Sequence, residues 1–260
     1  MTAQATWRLI PLETRPGIEH MAIDSWLLDQ HSKGQASSLR FYTWREPTIS
    51  LGYHQRQFPE HWKTLTYKEQ SVTLVRRPTG GRAVLHQGDL TYALITSAAT
   101  GSRRETYRQL CEFLIEGWQR LGVTLAFGTA GRGYIKNPNC FGSATAADLV
   151  LPNGYKFIGS AQAYREGSVL QHGSMRISPD SELFHQVFGE AIASSVLPDN
   201  LRATSERRLC RIAQSLTVAA SDRFHIRFNV QPLTRQEIQA AMQTYAAKLG
   251  QPLRPRLENV

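Results

Sequence analysis

The chain has 260 residues, of which 41% are hydrophobic and 20% charged, and it carries a formal net charge of +9. That length buries a substantial core without disulfides or metals, and the composition excludes a disordered or low-complexity protein. No stretch approaches the roughly 20 apolar residues of a membrane helix, and the N-terminus lacks the basic-then-apolar pattern of a signal peptide.

In chain order, the first predicted element is a helix from Gly17 to His31. Ile18, Met21, Ala22, Ser25 and Leu28 recur on one face at helical spacing. Two strands follow, Leu39–Thr43 and Ile49–Tyr53, with a turn over Trp44–Pro47 between them. Val72–Val75 and Leu90–Ile95 read as further strands. Residues 105–121 form the clearest helix, with Tyr107, Leu110, Cys111, Leu114, Trp118 and Leu121 on one stripe. A strand over Val123–Phe127 leads into Gly128–Asn139, which has no period and many turn formers, and reads as a loop. A meander comes next: Ala147–Leu151, a tight turn at Pro152-Asn153-Gly154, Tyr155–Tyr164, a turn at Glu166-Gly167, and Ser168–Ile177. Helices are predicted over Asp180–Ile192 and Glu206–Leu216, and a strand over Phe224–Val230. A last helix opens on a capping box, Thr234 with Glu237, carries Ile238, Ala241, Met242, Tyr245 and Leu249 on one stripe, and closes before Gly250.

Strands and helices mixed with hairpins, without a strict βαβ rhythm, predict an α+β fold with a largely antiparallel sheet. The expected organisation is one catalytic domain over residues 1–260. Its core spans about 7–177, with a helical and strand extension over 178–260.

Three cysteines, Cys111, Cys140 and Cys210, suit neither a disulfide framework nor a zinc site, so the expected compartment is reducing and cytoplasmic. Cys111 falls on a buried helical stripe, where a free thiol acts as a small hydrophobe. Cys210 lies on a helix beside Leu209, Ile212 and Ala213. Cys140 alone falls in an irregular loop. The basic residues are dispersed and show no nucleic-acid-binding spacing. The surplus charge reads either as a solvated basic surface or as a match for an acidic protein partner. Neither nucleic acid nor membrane is an expected partner.

Three segments bring glycine, charge and reactive groups together. In Arg76-Arg77-Pro-Thr-Gly80-Gly81-Arg82-Ala-Val-Leu-His86, the glycines permit close backbone approach and expose N–H donors. It is not a Walker loop, because no Lys-Ser/Thr follows the second glycine. In Tyr155–Gln162, alternation puts Lys156 on one face with Ile158, Ser160 and Gln162, leaving open whether it snorkels at a rim or enters a pocket. In Ser168–Ser174, His172-Gly173 interrupts a good strand, as at a bulge or a ligand contact, although a lone histidine is more often structural.

Taken together, Arg76–His86, Lys156-Phe-Ile-Gly-Ser-Ala-Gln162 and Leu170-Gln-His-Gly173 resemble the biotin/lipoate protein ligase superfamily. With Cys140-Phe141 upstream, the pattern most resembles its octanoyltransferase branch, the LipM type. The likeness covers most of residues 7–177. It implies a biotin/lipoate ligase-like catalytic domain that moves octanoate from octanoyl-acyl carrier protein to a lysine of lipoyl domains, such as those of 2-oxoacid dehydrogenases or glycine-cleavage H protein. It further implies Cys140 as nucleophile and Lys156 at the acyl carbonyl. Arg76, Arg77, Gly80, Gly81, His86, Ser160, His172 and Gly173 would line the substrate pocket. After Cys140-Phe141 the stretch Gly142–Asp148 departs from the bulkier, aromatic-bearing family pattern.

The chemistry is self-consistent. A thioester donor is already activated, so no ATP, metal or other cofactor is expected, and a thioester on Cys140 lets two protein partners use one site in turn. Cationic neighbours would favour its thiolate. The alternatives are an ATP-dependent lipoate–protein ligase, which needs no cysteine, and a cysteine-dependent amidotransferase. A silent carrier-binding protein is a non-enzymatic alternative.

Overall fold

The computed structural model describes residues 4–98, 101–129, 148–192, 197–198, 200–201 and 205–249. Cys140 and nearly all of the loop predicted over 128–139 lie outside them.

The chain enters on β1 (Ala5–Arg15), which pairs in parallel with β2 (Ser38–Trp44) across α1 (Gly17–Ser32). The sequence analysis predicts no element before Gly17, and Pro11 breaks the apolar run of β1. The β1–β2 register shifts there, between Ile10 and Glu13, which accommodates a residue that cannot donate to a ladder. Three short strands build a second sheet in the order β6–β3–β7: β3 (Thr48–Leu51), β6 (Thr73–Arg76) and β7 (Val84–His86). A small hairpin, β4 (Thr66–Tyr67) with β5 (Gln70–Ser71), lies beside it.

β8 (Leu90–Ser97) returns to the main sheet. α2 (Arg103–Arg120) starts two residues earlier than predicted, because Ser102 and Glu105 form a capping box. β9 (Ala126–Phe127) and β10 (Leu149–Val150) are short, and β11 (Lys156–Arg165) and β12 (Ser168–Met175) complete the meander. The helix α3 (Ser181–Phe188) is N-capped by Asp180 and ends at Gly189, whose φ of 68° is the left-handed C-cap; it stops short of the predicted Ile192. In α4 (Glu206–Phe224) the helix runs well past Leu216, because Ala219 and Ala220 are buried, with Ala219 packed beside Gly117 of α2. Phe224, expected to open a strand, is therefore its last residue and stacks on Trp7 at 5.2 Å. β13 (Ile226–Val230) and α5 (Arg235–Leu249) follow.

The main sheet runs β13–β1–β2–β8–β12–β11–β10–β9. Its β13, β1 and β2 edge is parallel and the remainder antiparallel, as in the predicted α+β class. One face packs on α2 and α4 through Leu94, Phe113, Trp118 and Leu216; the other packs on α1 and α5 through Met21, Ile23, Ala93 and Leu170. The small sheet has its own core around Ile49, Trp62 and Leu183.

Candidate active site

The Arg76–His86 segment is partly strand: Arg76 ends β6, and Val84–His86 is β7. Between them the Arg77 guanidinium donates to the carbonyls of Ser50 (2.7 Å), Gly80 (2.8 Å) and Arg82 (2.6 Å). Arg76 likewise donates to the carbonyls of Gly52 (2.8 Å) and Gln55 (2.7 Å). The planar fork of arginine suits such multiple bonding. Gly81 has a φ of 95°, and its carbonyl oxygen would lie 1.8 Å from a Cβ on Gly52. The close approach made by this loop is thus to the backbone of Gly52.

Against the loop, between the main and small sheets, lies a cavity of about 70 Å3. Its wall includes Arg77, Gly81 and His86 from the loop, Gly159, Ser160 and Ala161 from β11, and His172, Gly173 and Ser174 from β12. Met21, Tyr42, Val84 and Trp44 add the apolar part. Trp44 stacks on His86 with ring centres 3.8 Å apart, and both also line an outer cleft of about 420 Å3 that contains Arg45 and Lys68.

Both wall histidines are held at both ring nitrogens. His86 Nδ1 lies 2.8 Å from Asp89 Oδ2 and its Nε2 lies 2.8 Å from Ser50 Oγ. Asp89 also accepts from Ser174 and Thr91. Burial pushes the His86 pKa below its ordinary value against the pull of Asp89. In the neutral ring Nδ1 donates to the carboxylate and Nε2 accepts from the serine. His172 Nδ1 lies 2.8 Å from Asp24 Oδ2 and its Nε2 lies 2.6 Å from Thr79 Oγ1. Asp24 in turn accepts from Arg40 (3.0 Å) and Tyr42 (2.9 Å), all fully buried, and Arg40 bonds His20. These imidazoles are parts of a rigid frame.

Lys156 is buried, and its Nζ lies 2.9 Å from Asp148 Oδ2. It stands three residues before the cavity wall begun by Gly159. The pairing of β10 with β11 slips there: Leu149 faces Ile158 and Val150 faces Lys156. Phe157 and Ile158 both enter one core cluster, and Asp148, the partner of Lys156, acts electrostatically on Tyr107 and Cys111 of α2, the side on which Ser160 meets Tyr92.

Of the residues expected to line a pocket, Arg77, Gly81, His86, Ser160, His172 and Gly173 meet at one cavity. Arg76 and Gly80 do not: Arg76 ties down the 52–55 turn, and Gly80 supplies a carbonyl to Arg77. His172-Gly173 does not break its strand, since β12 pairs with β11 and β8 continuously from Ser168 to Met175. Of the residues that hold the histidines, Thr79 sits inside the Arg76–His86 segment, while Asp24 and Asp89 have no sequence motif to mark them; what their hydroxyl or carboxylate groups bind becomes visible only in three dimensions.

The Lipoyl protein ligase A/B catalytic domain family matches residues 16–242. The chain belongs to this family. It is 32% identical to Octanoyltransferase LipM of Kyrpidia tusciae, over 94% of this chain and 97% of that one. To Octanoyltransferase LipM of Geobacillus kaustophilus it is 36% identical, over 72% of this chain and 70% of that one. Among solved structures, a putative lipoate protein ligase of T. acidophilum with bound lipoic acid superposes with a TM-score of 0.73 at 23% identity, covering 94% of this chain and 95% of that one. Lipoate-protein ligase A bound with ATP gives 0.73 at 22% identity, covering 94% and 99%. The ligase-like fold of the family member described here is thus that of these enzymes.

Proposed function

We infer that this family member is an octanoyltransferase of lipoate biosynthesis, which transfers octanoate from octanoyl-acyl carrier protein to a lysine of a lipoyl domain. The 32% identity to a LipM octanoyltransferase over nearly the full length of both chains supports the activity. One structural observation favours a thioester donor. Among the described residues lining the cavity, Arg77 is the only Lys or Arg, and it binds backbone carbonyls and Ser50. A neutral acyl chain suits such a wall better than a phosphate-bearing adenylate, which calls for donors aimed at anionic oxygens. The net charge of +9 suits an acidic carrier. A lipoyl domain as acceptor accords with the archaeal bipartite lipoate protein ligase, studied with its E2 lipoyl domain.

In this reading the Cys140 sulfur attacks the octanoyl thioester, the carrier's carbon–sulfur bond breaks, and the carrier leaves as its thiol with the proton that Cys140 gave up. The lysine amine of the lipoyl domain then attacks the new thioester, the carbon–sulfur bond to Cys140 breaks, and the amine's proton passes to the departing sulfur, leaving an amide and the Cys140 thiol. Lys156 holds positive charge near the acyl carbonyl, oriented by Asp148. No ATP or other cofactor enters either step. The test is intact mass after mixing with octanoyl-acyl carrier protein: an octanoyl adduct forms on the native protein and is absent in Cys140→Ala. Transfer at near native rate by Cys140→Ala refutes the nucleophile, and ATP-dependent attachment of free lipoate favours the ligase reading.

A further inference from the structure

Tyr92 on β8, Gly173 on β12 and Ser160 on β11 lie in one cross-strand row, and the next row holds Leu94, Gln171 and Gln162. On this face, which packs on α2, side-chain hydrogen bonds link these residues in a single direction. The Tyr164 hydroxyl donates to Gln162 Oε1 (2.9 Å), and Gln162 Nε2 donates to Gln171 Oε1 (2.8 Å). Gln171 Nε2 donates to the Tyr92 hydroxyl (3.0 Å), which donates to Ser160 Oγ (2.8 Å). The second Gln171 hydrogen goes to Cys111 Sγ at 3.3 Å, so both ends of that amide are committed. Gln171 and Tyr92 are fully buried.

Gly173 makes the last link possible. A Cβ there would sit 2.4 Å from Ser160 Oγ and 2.8 Å from Tyr92 Cε1. The Tyr92 phenol thus lies across a bare backbone to reach the strand beyond, which accounts for a glycine in the middle of a continuous strand. Tyr107 donates to the Ser160 carbonyl at 3.3 Å, fixing the main chain as well. Ser160 Oγ accepts from Tyr92, and among the described residues nothing accepts the Ser160 proton. Ser160 is also part of the cavity wall.

We propose that Ser160 is a hydrogen-bond donor for the acyl carbonyl oxygen in the transfer reaction, alongside the Lys156 charge, and that Tyr92, Gln171 and Gln162 are positioning residues that polarise its O–H. The proposal rests on the octanoyl-transfer reading. When the nucleophile bonds to the carbonyl carbon, the π pair moves onto oxygen, where the Ser160 O–H meets it. The pair returns as the carbon–sulfur bond breaks and the thiol leaves, and Ser160 keeps its proton throughout. A chain of donors aligned head to tail strengthens each successive bond, and preorganised donors aimed at a developing oxyanion act without reorganisation.

The experiment is steady-state octanoyl transfer from octanoyl-acyl carrier protein to a lipoyl domain, with thermal midpoints measured alongside. Ser160→Ala is expected to lower kcat about 100-fold with KM changed less than about threefold. Tyr92→Phe, which keeps the ring and removes only the link, is expected to lower kcat several-fold; it also serves if Ser160→Ala does not fold. Ser160→Thr, which retains the hydroxyl, is expected to recover most of the loss. Native-like kcat in Ser160→Ala, a loss confined to KM, or unchanged kcat in Tyr92→Phe overturns the assignment while leaving octanoyl transfer intact. A wild-type protein that transfers nothing overturns the octanoyl-transfer reading instead.

Discussion

Asp24 ties together Arg40, Tyr42 and His172 beside the cavity, and Asp24→Asn tests what that link is worth. Its Oδ1 accepts from Arg40 Nη1 at 3.0 Å, and its Oδ2 accepts from Tyr42 at 2.9 Å and faces His172 Nδ1 at 2.8 Å. Asp24 and Arg40 are both fully buried. An asparagine keeps the volume but has one acceptor oxygen, so its amide turns N–H groups toward Arg40 or toward Tyr42 and His172. It also leaves the Arg40 guanidinium buried without a counter-charge. Breaking a buried pair from one side costs about 3–5 kcal/mol, a large share of the roughly 5–15 kcal/mol that stabilises a typical domain. For a chain of this size the melting temperature falls by roughly 6–20 °C. Urea unfolding followed by tryptophan fluorescence measures the loss. Arg40→Met and the double variant close a cycle in which the double loss is smaller than the sum, with a coupling of about 0.5–3 kcal/mol. A loss under about 1 kcal/mol for Asp24→Asn, or strict additivity in the cycle, would refute the reasoning.

Further outcomes follow from the same contacts. His20 and His86 have pKa values lowered mainly by burial, so as pH falls below about 6.5 the unfolded chain takes up protons that the folded chain refuses. Stability therefore drops with falling pH, by up to about 2.7 kcal/mol per pH unit for the two together. A urea midpoint that holds or rises between pH 7.5 and 5.5 contradicts this. Asp148→Asn leaves the Lys156 ammonium buried without this carboxylate; octanoyl transfer is expected to fall more than about tenfold, with about 3–5 kcal/mol lost on unfolding. A variant that retains both rate and stability would remove Asp148 from the account. Gly117→Val pushes α2 from α4, since a Cβ there stands 2.7 Å from Leu216 Cδ2 and 3.0 Å from its Cα. A loss of about 1–3 kcal/mol is expected, read as a shifted unfolding midpoint with little change in kcat.

What was legible in the sequence was whatever repeats with a period or sits in a compact motif. The α1 and α2 stripes, the meander and the capping box of α5 follow from local patterns. The three motif segments converge on one cavity because each combines glycine with side chains that must face inward. β1 was hidden by Pro11, and β7 by the density of functional-looking residues around it. α4 was cut short because Thr217 and Val218 are β-branched, whereas Ala219 and Ala220 continue the buried face. Phe157 joins the same core cluster as Ile158, a departure from period two that accompanies the register slip between β10 and β11. Asp24 and Asp89 stand outside the motifs, and Thr79 stands within the Arg76–His86 segment without chemistry of its own to mark it. The roles of Asp24, Thr79 and Asp89 depend on partners 148, 93 and 3 positions away, and only the last of these is local.

Arg77 shows why charge in a motif is an ambiguous signal. Its sequence context, between another arginine and two glycines, suggests a cation waiting for an anion. In the fold its guanidinium instead fastens Ser50 on β3 to the Gly80–Arg82 turn, donating to three carbonyls and to Ser50 Oγ. The two roles separate under Arg77→Lys. A lysine keeps the charge but offers donors from one point and cannot span the three carbonyls. If the fork is a staple, Arg77→Lys loses about 2–3 kcal/mol of stability, at roughly 1 kcal/mol per hydrogen bond broken. It also loosens the His86 wall through Ser50, so the variant melts earlier and transfers more slowly even at saturating donor. If Arg77 serves chiefly as charge for a bound anion, lysine preserves stability and the defect appears in KM. Equal melting temperatures with a raised KM would therefore return Arg77 to ligand binding and weaken the case for a neutral acyl pocket.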